Sequence, residues 1–226
     1  MLITEIYRSI QGESSFAGLP CTFVRLTACN LRCTWCDSEY TFTGGTKMAP
    51  EEVENQVIKL ASSGLVEFTG GEPMLQEREL VPLMERLLSR GYTLLLETSG
   101  ERPLEQVPKA VHKIVDVKCP GSGEGGSFRQ SNLESLTDDD EVKFVLADRA
   151  DYEFARAFTH EHKLESRVRG VIFSPVFLKD PGEARDTSNC LLDPRMLAEW
   201  ILEDKLNVRL GLQIHKFIWE PATKGV

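Results

Sequence analysis

The chain has 226 residues, with 35 acidic against 26 basic and a formal net charge of −9. That length suits one ordinary domain over residues 1–226, with enough hydrophobic residues (41%) for a substantial core. The acid excess, with no basic stripe, argues against nucleic acid as the main partner, and no apolar stretch approaches bilayer length, so no membrane association is expected.

Along the chain the rhythm is strand, then helix. The opening Met1-Leu2-Ile3-Thr4-Glu5 has no basic region ahead of an apolar run, so no signal peptide is expected and a reducing cytoplasm is the default location. Residues 22–26 read as a strand that feeds a cysteine-rich loop. Residues 50–61 read as a helix, with Pro50, Glu51 and Glu52 in its first turn and Val53, Val57 and Leu60 near helical spacing. Residues 65–69 form a strand ending in Gly70-Gly71. Leu80, Leu83, Met84, Leu87 and Leu88 mark the next helix, closed by Gly91. Strands follow at 92–96, 113–118 and 141–146, then a helix at 151–162 bearing Phe154, Ala155 and Phe158. A strand at 170–176, a helix around Met196, Leu197, Trp200 and Ile201, and a final strand at 208–214 complete the pattern. Alternating strand–helix units with short, continuously apolar strands predict a parallel sheet covered on both faces. Almost every polar or glycine-rich motif follows a strand. In parallel α/β folds ligands bind there, so these segments are expected to converge on one site.

Three of the six cysteines, Cys29, Cys33 and Cys36, are spaced C-x3-C-x2-C. Three thiolates on one short loop can hold three irons of a 4Fe–4S cubane and leave the fourth open, whereas most electron carriers use four cysteines. A zinc loop is the other reading; it needs a fourth ligand from Cys21, Cys119 or a distant His. Cys21, Cys119 and Cys190 are scattered, so no disulfide framework and no second cluster is expected. Gly70-Gly71 bares the backbone for close approach to a ligand, and it can equally just turn a strand into a helix.

Together, the cysteine run and Gly70-Gly71-Glu72-Pro73 resemble the radical S-adenosylmethionine superfamily. The wider set of Ser9-Ile10-Gln11-Gly12-Glu13, Phe23-Val24-Arg25-Leu26, Cys36-Asp37-Ser38-Glu39-Tyr40-Thr41 and Leu212-Gln213-Ile214-His215-Lys216-Phe217-Ile218-Trp219 resembles the 7-carboxy-7-deazaguanine synthase family over nearly the whole chain. One departure is Ser14, where many relatives carry glycine. The resemblance implies an open, partial (β/α)6-type barrel with trimmed helices. It implies a lyase of queuosine and 7-deazapurine biosynthesis, serving tRNA modification, that contracts the ring of 6-carboxy-5,6,7,8-tetrahydropterin with loss of ammonia and reuses S-adenosyl-L-methionine.

The implied roles are as follows. Cys29, Cys33 and Cys36 bind the 4Fe–4S cluster, and Trp35, Gly70, Gly71, Glu72, Thr98, Ser99, Lys118 and Ser122 bind S-adenosyl-L-methionine. Gln11, Glu13, Arg25, His215 and Val226 bind the substrate, Arg25 meeting its carboxylate. Ser38 contacts Mg2+, with Asp37 and Thr41 in support. No side chain is catalytic beyond the cofactor. The implied partners are a flavodoxin-like electron donor and a second copy in a homodimer. From the residues alone, a glycyl-radical-enzyme activase and a non-catalytic zinc or iron–sulfur module stay open as alternatives.

Overall fold

Runs such as Leu65-Val66-Glu67-Phe68-Thr69, buried at every position, are too apolar to face water on either side. A computed structural model describes residues 1–61, 64–179, 185–220, 223 and 225, and in it these runs assemble one sheet. The strands are β1 (Leu2–Ile10), β2 (Pro20–Leu26), β3 (Thr46–Lys47), β4 (Leu65–Gly70), β5 (Thr93–Thr98), β6 (Val111–Asp116), β7 (Glu141–Leu146), β8 (Gly170–Pro175) and β9 (Arg209–Leu210). Their spatial order is β3-β1-β2-β4-β5-β6-β7-β8-β9. From β2 to β9 every pairing is parallel, and β1 runs antiparallel to both β2 and β3. The sheet is unclosed, as the expected partial barrel requires.

Strand residues alternate between two environments. Val24, Leu26, Val66, Phe68, Leu94 and Leu96 join the main core under the helices. Cys21, Phe23, Leu65, Leu95 and Ile114 form a separate apolar cluster on the opposite face, with Tyr7 and Phe16 against it. Further along the same strands that face carries Arg25, Glu67, Thr69, Glu97, Asp116 and Lys143, which line a cavity. The barrel interior is therefore apolar at its floor and ionic above it. In β1 the register against β2 slips between Ile3 and Glu5. The extra residue turns Glu5 and Tyr7 to the face of Arg25, the usual effect of a bulge.

Helices α1 (Pro50–Leu60), α2 (Glu77–Ser89), α3 (Arg149–Glu161) and α4 (Pro194–Glu203) cover the outer face. Pro50 opens α1, and the Glu52 carboxylate accepts from the Ala49 N–H at 2.7 Å. Asp148 caps α3 by accepting from Asp151 N–H at 3.0 Å. Leu80, Leu83, Met84 and Leu87 of α2 are wholly buried, each contributing about 1.5–3 kcal/mol relative to exposure. Between β5 and β6, and between β6 and β7, there is no α-helix. Buried Asn132 braces that region instead, accepting from Leu104 N–H and donating to the carbonyls of Gly100 and Arg102. These are the trimmed helices.

The expected final strand at 208–214 shrinks to Arg209–Leu210. After Gly211 N–H bonds the Phe173 carbonyl, the chain leaves the sheet edge, and Ile214 N–H bonds Gly12 O at 3.1 Å. His215 then opens a short helix, α5 (His215–Ile218). The strand β1 was not foreseen in the sequence. Among the described residues no helix is long and apolar enough to cross a membrane.

Candidate active site

The cysteine loop leaves β2 through Ala28, whose φ of 81° lies in the left-handed region. Two backbone bonds hold that turn: Ala28 N–H to Thr41 O at 2.7 Å, and Glu72 N–H to Ala28 O at 2.8 Å. Gly71 lies so close that a Cβ there would sit 2.1 Å from Ala28 O and 2.8 Å from Cys29 Cβ. Gly70, at φ 143°, leaves equally little room against Leu26. The glycine pair thus positions the cysteine loop. Cys29, Cys33 and Cys36 are free, half-buried and line one cavity of about 670 Å³. Burial pushes the Cys33 thiol up to about 11, although Lys118 opposes this, and burial raises Cys29 as well. Cys21, Cys119 and Cys190 do not line the cavity.

Trp35, Gly70, Gly71, Thr98, Ser99 and Lys118 line the same cavity, as do Gln11, Glu13, Arg25, His215, Asp37 and Ser38. Two expected cofactor residues do not reach it. Glu72 is fully buried; its carboxylate accepts from Met74 N–H, the Thr98 hydroxyl, and both the N–H and hydroxyl of Ser99. It braces the ends of β4 and β5 and has no oxygen turned to a ligand. Ser122 is also buried: its hydroxyl donates to Cys119 O at 2.6 Å, and its carbonyl accepts from Thr34 N–H and hydroxyl. It docks the cysteine loop. Val226 lies outside the described residues, while Thr223 and Gly225 line the cavity.

The substrate side is an ionic layer. Arg25 donates to Glu5 and to the Tyr7 hydroxyl, each at 2.7 Å, so its guanidinium is held with one nitrogen uncommitted in those contacts. Gln11 is 2% exposed; its carbonyl accepts from Glu13 and Ser14 N–H, and its amide donates to Glu67 at 3.2 Å. It shapes the loop that presents Glu13. The Ser14 hydroxyl accepts from Phe16 N–H, so the serine supports this same turn. Glu13 accepts from Lys143 at 2.6 Å and from Gln213 at 2.8 Å. Burial pushes its carboxyl up, but the Lys143 ammonium more than offsets this and holds it below the usual carboxylate range. Lys143 also meets Glu97 and lies 3.8 Å from Asp116, which pairs with Lys118 at 2.8 Å. His215 packs on Gly12, and burial lowers its pKa, favouring the neutral ring.

At the mouth, Lys216 pairs with Asp37 at 2.6 Å. The Lys216 ammonium beside it holds the Asp37 carboxyl below its ordinary value. Asp37 is thereby engaged by a cation, whereas the Ser38 hydroxyl faces the cavity with the Cys36 sulfur 3.7 Å away. Thr41 is buried and bonds back to Ser38 O, supporting the turn. Tyr7, with Gln213 and Lys216 of the quoted tail run, also lines the site, as do Glu67, Glu97, Asp116 and Lys143, which motif reading passed over. Their signal was a charge inside an apolar strand, as in Val66-Glu67-Phe68 and Val142-Lys143-Phe144.

A parallel half-barrel with three free thiols at the carboxyl ends of its strands is the architecture of radical S-adenosylmethionine proteins, and the model of the Radical SAM superfamily matches residues 24–120. QueE from Escherichia coli has the same fold, with a TM-score of 0.71 at 22% identity, covering 94% of this chain and 93% of that one. In sequence, the chain is 70% identical to the 7-carboxy-7-deazaguanine synthase of Koribacter versatilis over 100% of both chains. It is 41% identical to that of Chlorobaculum tepidum, covering 99% of this chain and 96% of the other. The chain belongs to the 7-carboxy-7-deazaguanine synthase family.

Proposed function

We infer that this chain is a 7-carboxy-7-deazaguanine synthase, converting 6-carboxy-5,6,7,8-tetrahydropterin to 7-carboxy-7-deazaguanine with loss of ammonia. The observation that carries this reading is one continuous cavity running from three free thiols to Glu13, Arg25 and His215, in a chain 70% identical to a named synthase.

The residues present suit the cofactors. Cys29, Cys33 and Cys36 are half-buried thiols on one hydrogen-bonded loop, a donor set that ionises when metal binds. They would hold a 4Fe–4S cluster. The bare backbone of Gly70-Gly71, with Trp35, Thr98, Ser99 and Lys118, would hold S-adenosyl-L-methionine, and a cavity of about 670 Å³ is large enough for a cofactor-sized ligand. The Ser38 hydroxyl would meet Mg2+, a hard cation that accepts such an oxygen while keeping waters. When bound, the cluster and S-adenosyl-L-methionine supply a radical that removes one hydrogen atom from the substrate and returns it.

The protein's own part is orientation and charge. Arg25, fixed by Glu5 and Tyr7, offers its guanidinium to the substrate carboxylate. Glu13, kept ionised by Lys143, accepts from the ring N–H groups. Neutral His215 closes that side. A small reduced flavoprotein such as flavodoxin is the electron donor in this reading, and a cytoplasmic homodimer of one catalytic domain is the working form. Anaerobically reconstituted protein, given reductant, magnesium and S-adenosyl-L-methionine, should convert the pterin, and a Cys33→Ser protein should hold no cluster and form no product. A cluster-loaded protein that leaves the pterin unchanged would overturn the reading.

A further inference from the structure

Beneath the substrate wall two carboxyl groups meet. Glu67 on β4 is 1% exposed, and the Gln11 amide is its one hydrogen-bond donor among the contacts seen. On the neighbouring parallel strand β5, Glu67 lies opposite Leu95, so Glu97 two residues on projects from the same face, and both carboxyl groups line the cavity. Glu97 is partly exposed to the cavity, its side chain 22% accessible, and pairs with Lys143. The pair is enclosed by charge on every side. Glu13 stands above, Asp116 on β6 and Lys143 on β7 flank it, Lys118 and His215 line the same cavity, and Tyr7 and Cys21 pack alongside on β1 and β2. Lys143 is the cation in contact, and it already serves Glu13, Glu97 and Asp116. Two ionised carboxylates side by side in a buried layer repel, whereas a single proton held between them removes that repulsion. Burial accordingly raises both groups above the ordinary carboxylate range.

We propose that Glu67 and Glu97 share one proton and form the proton relay for ammonia loss, with Glu97 facing the substrate and Glu67 as its buried reservoir. This rests on the synthase reading above. In that step a C–N bond breaks, a proton leaves the neighbouring ring carbon, and its C–H electron pair becomes the new ring C=C bond. Nothing is oxidised or reduced. The proton shared by the pair passes to the departing nitrogen, and the freed carboxylate takes the carbon-bound proton, restoring the starting state. One carboxylate alone cannot be acid and base at once; a pair holding a single proton can.

Infrared difference spectroscopy on the cofactor-free protein at neutral pH reads the shared proton directly. The wild type should show a protonated-carboxyl carbonyl band that is missing in Glu67→Gln. No such band overturns the proposal. If Glu67→Gln does not fold, titrating the wild type serves instead: the band should persist above the pH at which ordinary carboxyls ionise, and its loss with them overturns the proposal. In the loaded enzyme, Glu67→Gln should lower kcat by about 100-fold while deuterium from C6 of the pterin still enters S-adenosyl-L-methionine. Glu67→Asp should restore part of the turnover. Equal loss of exchange and turnover would mark Glu67 as merely structural and overturn the relay, as would near-wild-type turnover in Glu67→Gln. A wild type with no synthase activity would remove the reaction, while the infrared result would still report on the shared proton.

Discussion

Lys143 is the hinge of the site at the scale of single residues. Its ammonium, 3% exposed, touches Glu13 and Glu97 and approaches Asp116. Desolvation disfavours its charge, but Glu13, Glu97 and Asp116 hold it protonated well above the ordinary lysine range. Lys143→Met leaves those carboxylates without their cation, and removing one partner of a buried ion pair costs about 3–5 kcal/mol. Urea unfolding should show that loss, and a drop under about 1 kcal/mol would mean water screens the layer. The neighbouring carboxyls carry opposite pH signatures. Glu13 is lowered in the fold, so its contribution is complete above the ordinary carboxylate range and drains as pH falls through its lower folded value. Glu67 is raised, so its contribution is complete below its unfolded pKa and is lost as pH rises towards the folded one. Glu67→Gln removes only the second effect. Unfolding free energies from about pH 4 to 8 should therefore move in favour of Glu67→Gln relative to wild type, and a pH-independent difference would contradict the raised state. Glu13 stands in the quoted Ser9–Glu13 run, whereas Glu67, Glu97, Asp116 and Lys143 belong to no motif quoted from the sequence. Each was visible as a charge in an apolar strand, but which face it took depended on strand order and on the β1 bulge, neither of which local spacing reveals.

The Gly70-Gly71-Glu72 segment shows at the scale of elements how a motif works through backbone. Gly71 admits the Ala28 carbonyl, and Glu72 ties the end of β4 to the end of β5. In Gly71→Ala the new methyl would overlap Ala28 O and Cys29 Cβ, so the cysteine loop has to move. Reconstituted Gly71→Ala should hold well under half the iron of wild type while its far-ultraviolet circular dichroism stays native. Full iron loading would show that the loop tolerates displacement. The motif's location after a strand was legible from the sequence; the bracing role of Glu72 and the docking role of Ser122 were not, because both depend on partners 26 to 88 residues away. The six long parallel strands and four outer helices were legible from apolar runs, helical spacing and caps. The two margins of the sheet were not. β1 alternates between surroundings that only its antiparallel partners define, and β9 stops at two residues because the chain turns toward Gly12.

Across the whole molecule, the cavity joins the first fifth of the chain to its last fourteen residues. Gln213 bonds Glu13 across 200 residues and Lys216 pairs with Asp37 across 179, so the C-terminal segment forms one wall of the site. Thr223 and Gly225 extend that wall. Deleting residues 223–226 should lower turnover about 10- to 100-fold through misplaced substrate, with iron content and S-adenosyl-L-methionine affinity unchanged. Full activity in the truncated protein would return those residues to the frayed ends common in domains. The central claim concerns the reaction as a whole: this cavity contracts the pterin and returns the borrowed hydrogen. Its most direct test is anaerobic turnover with S-adenosyl-L-methionine present well below the pterin. The account predicts many molecules of 7-carboxy-7-deazaguanine per molecule of S-adenosyl-L-methionine, with no matching build-up of 5′-deoxyadenosine. Product that stops at one equivalent, with 5′-deoxyadenosine formed alongside it, would contradict the account.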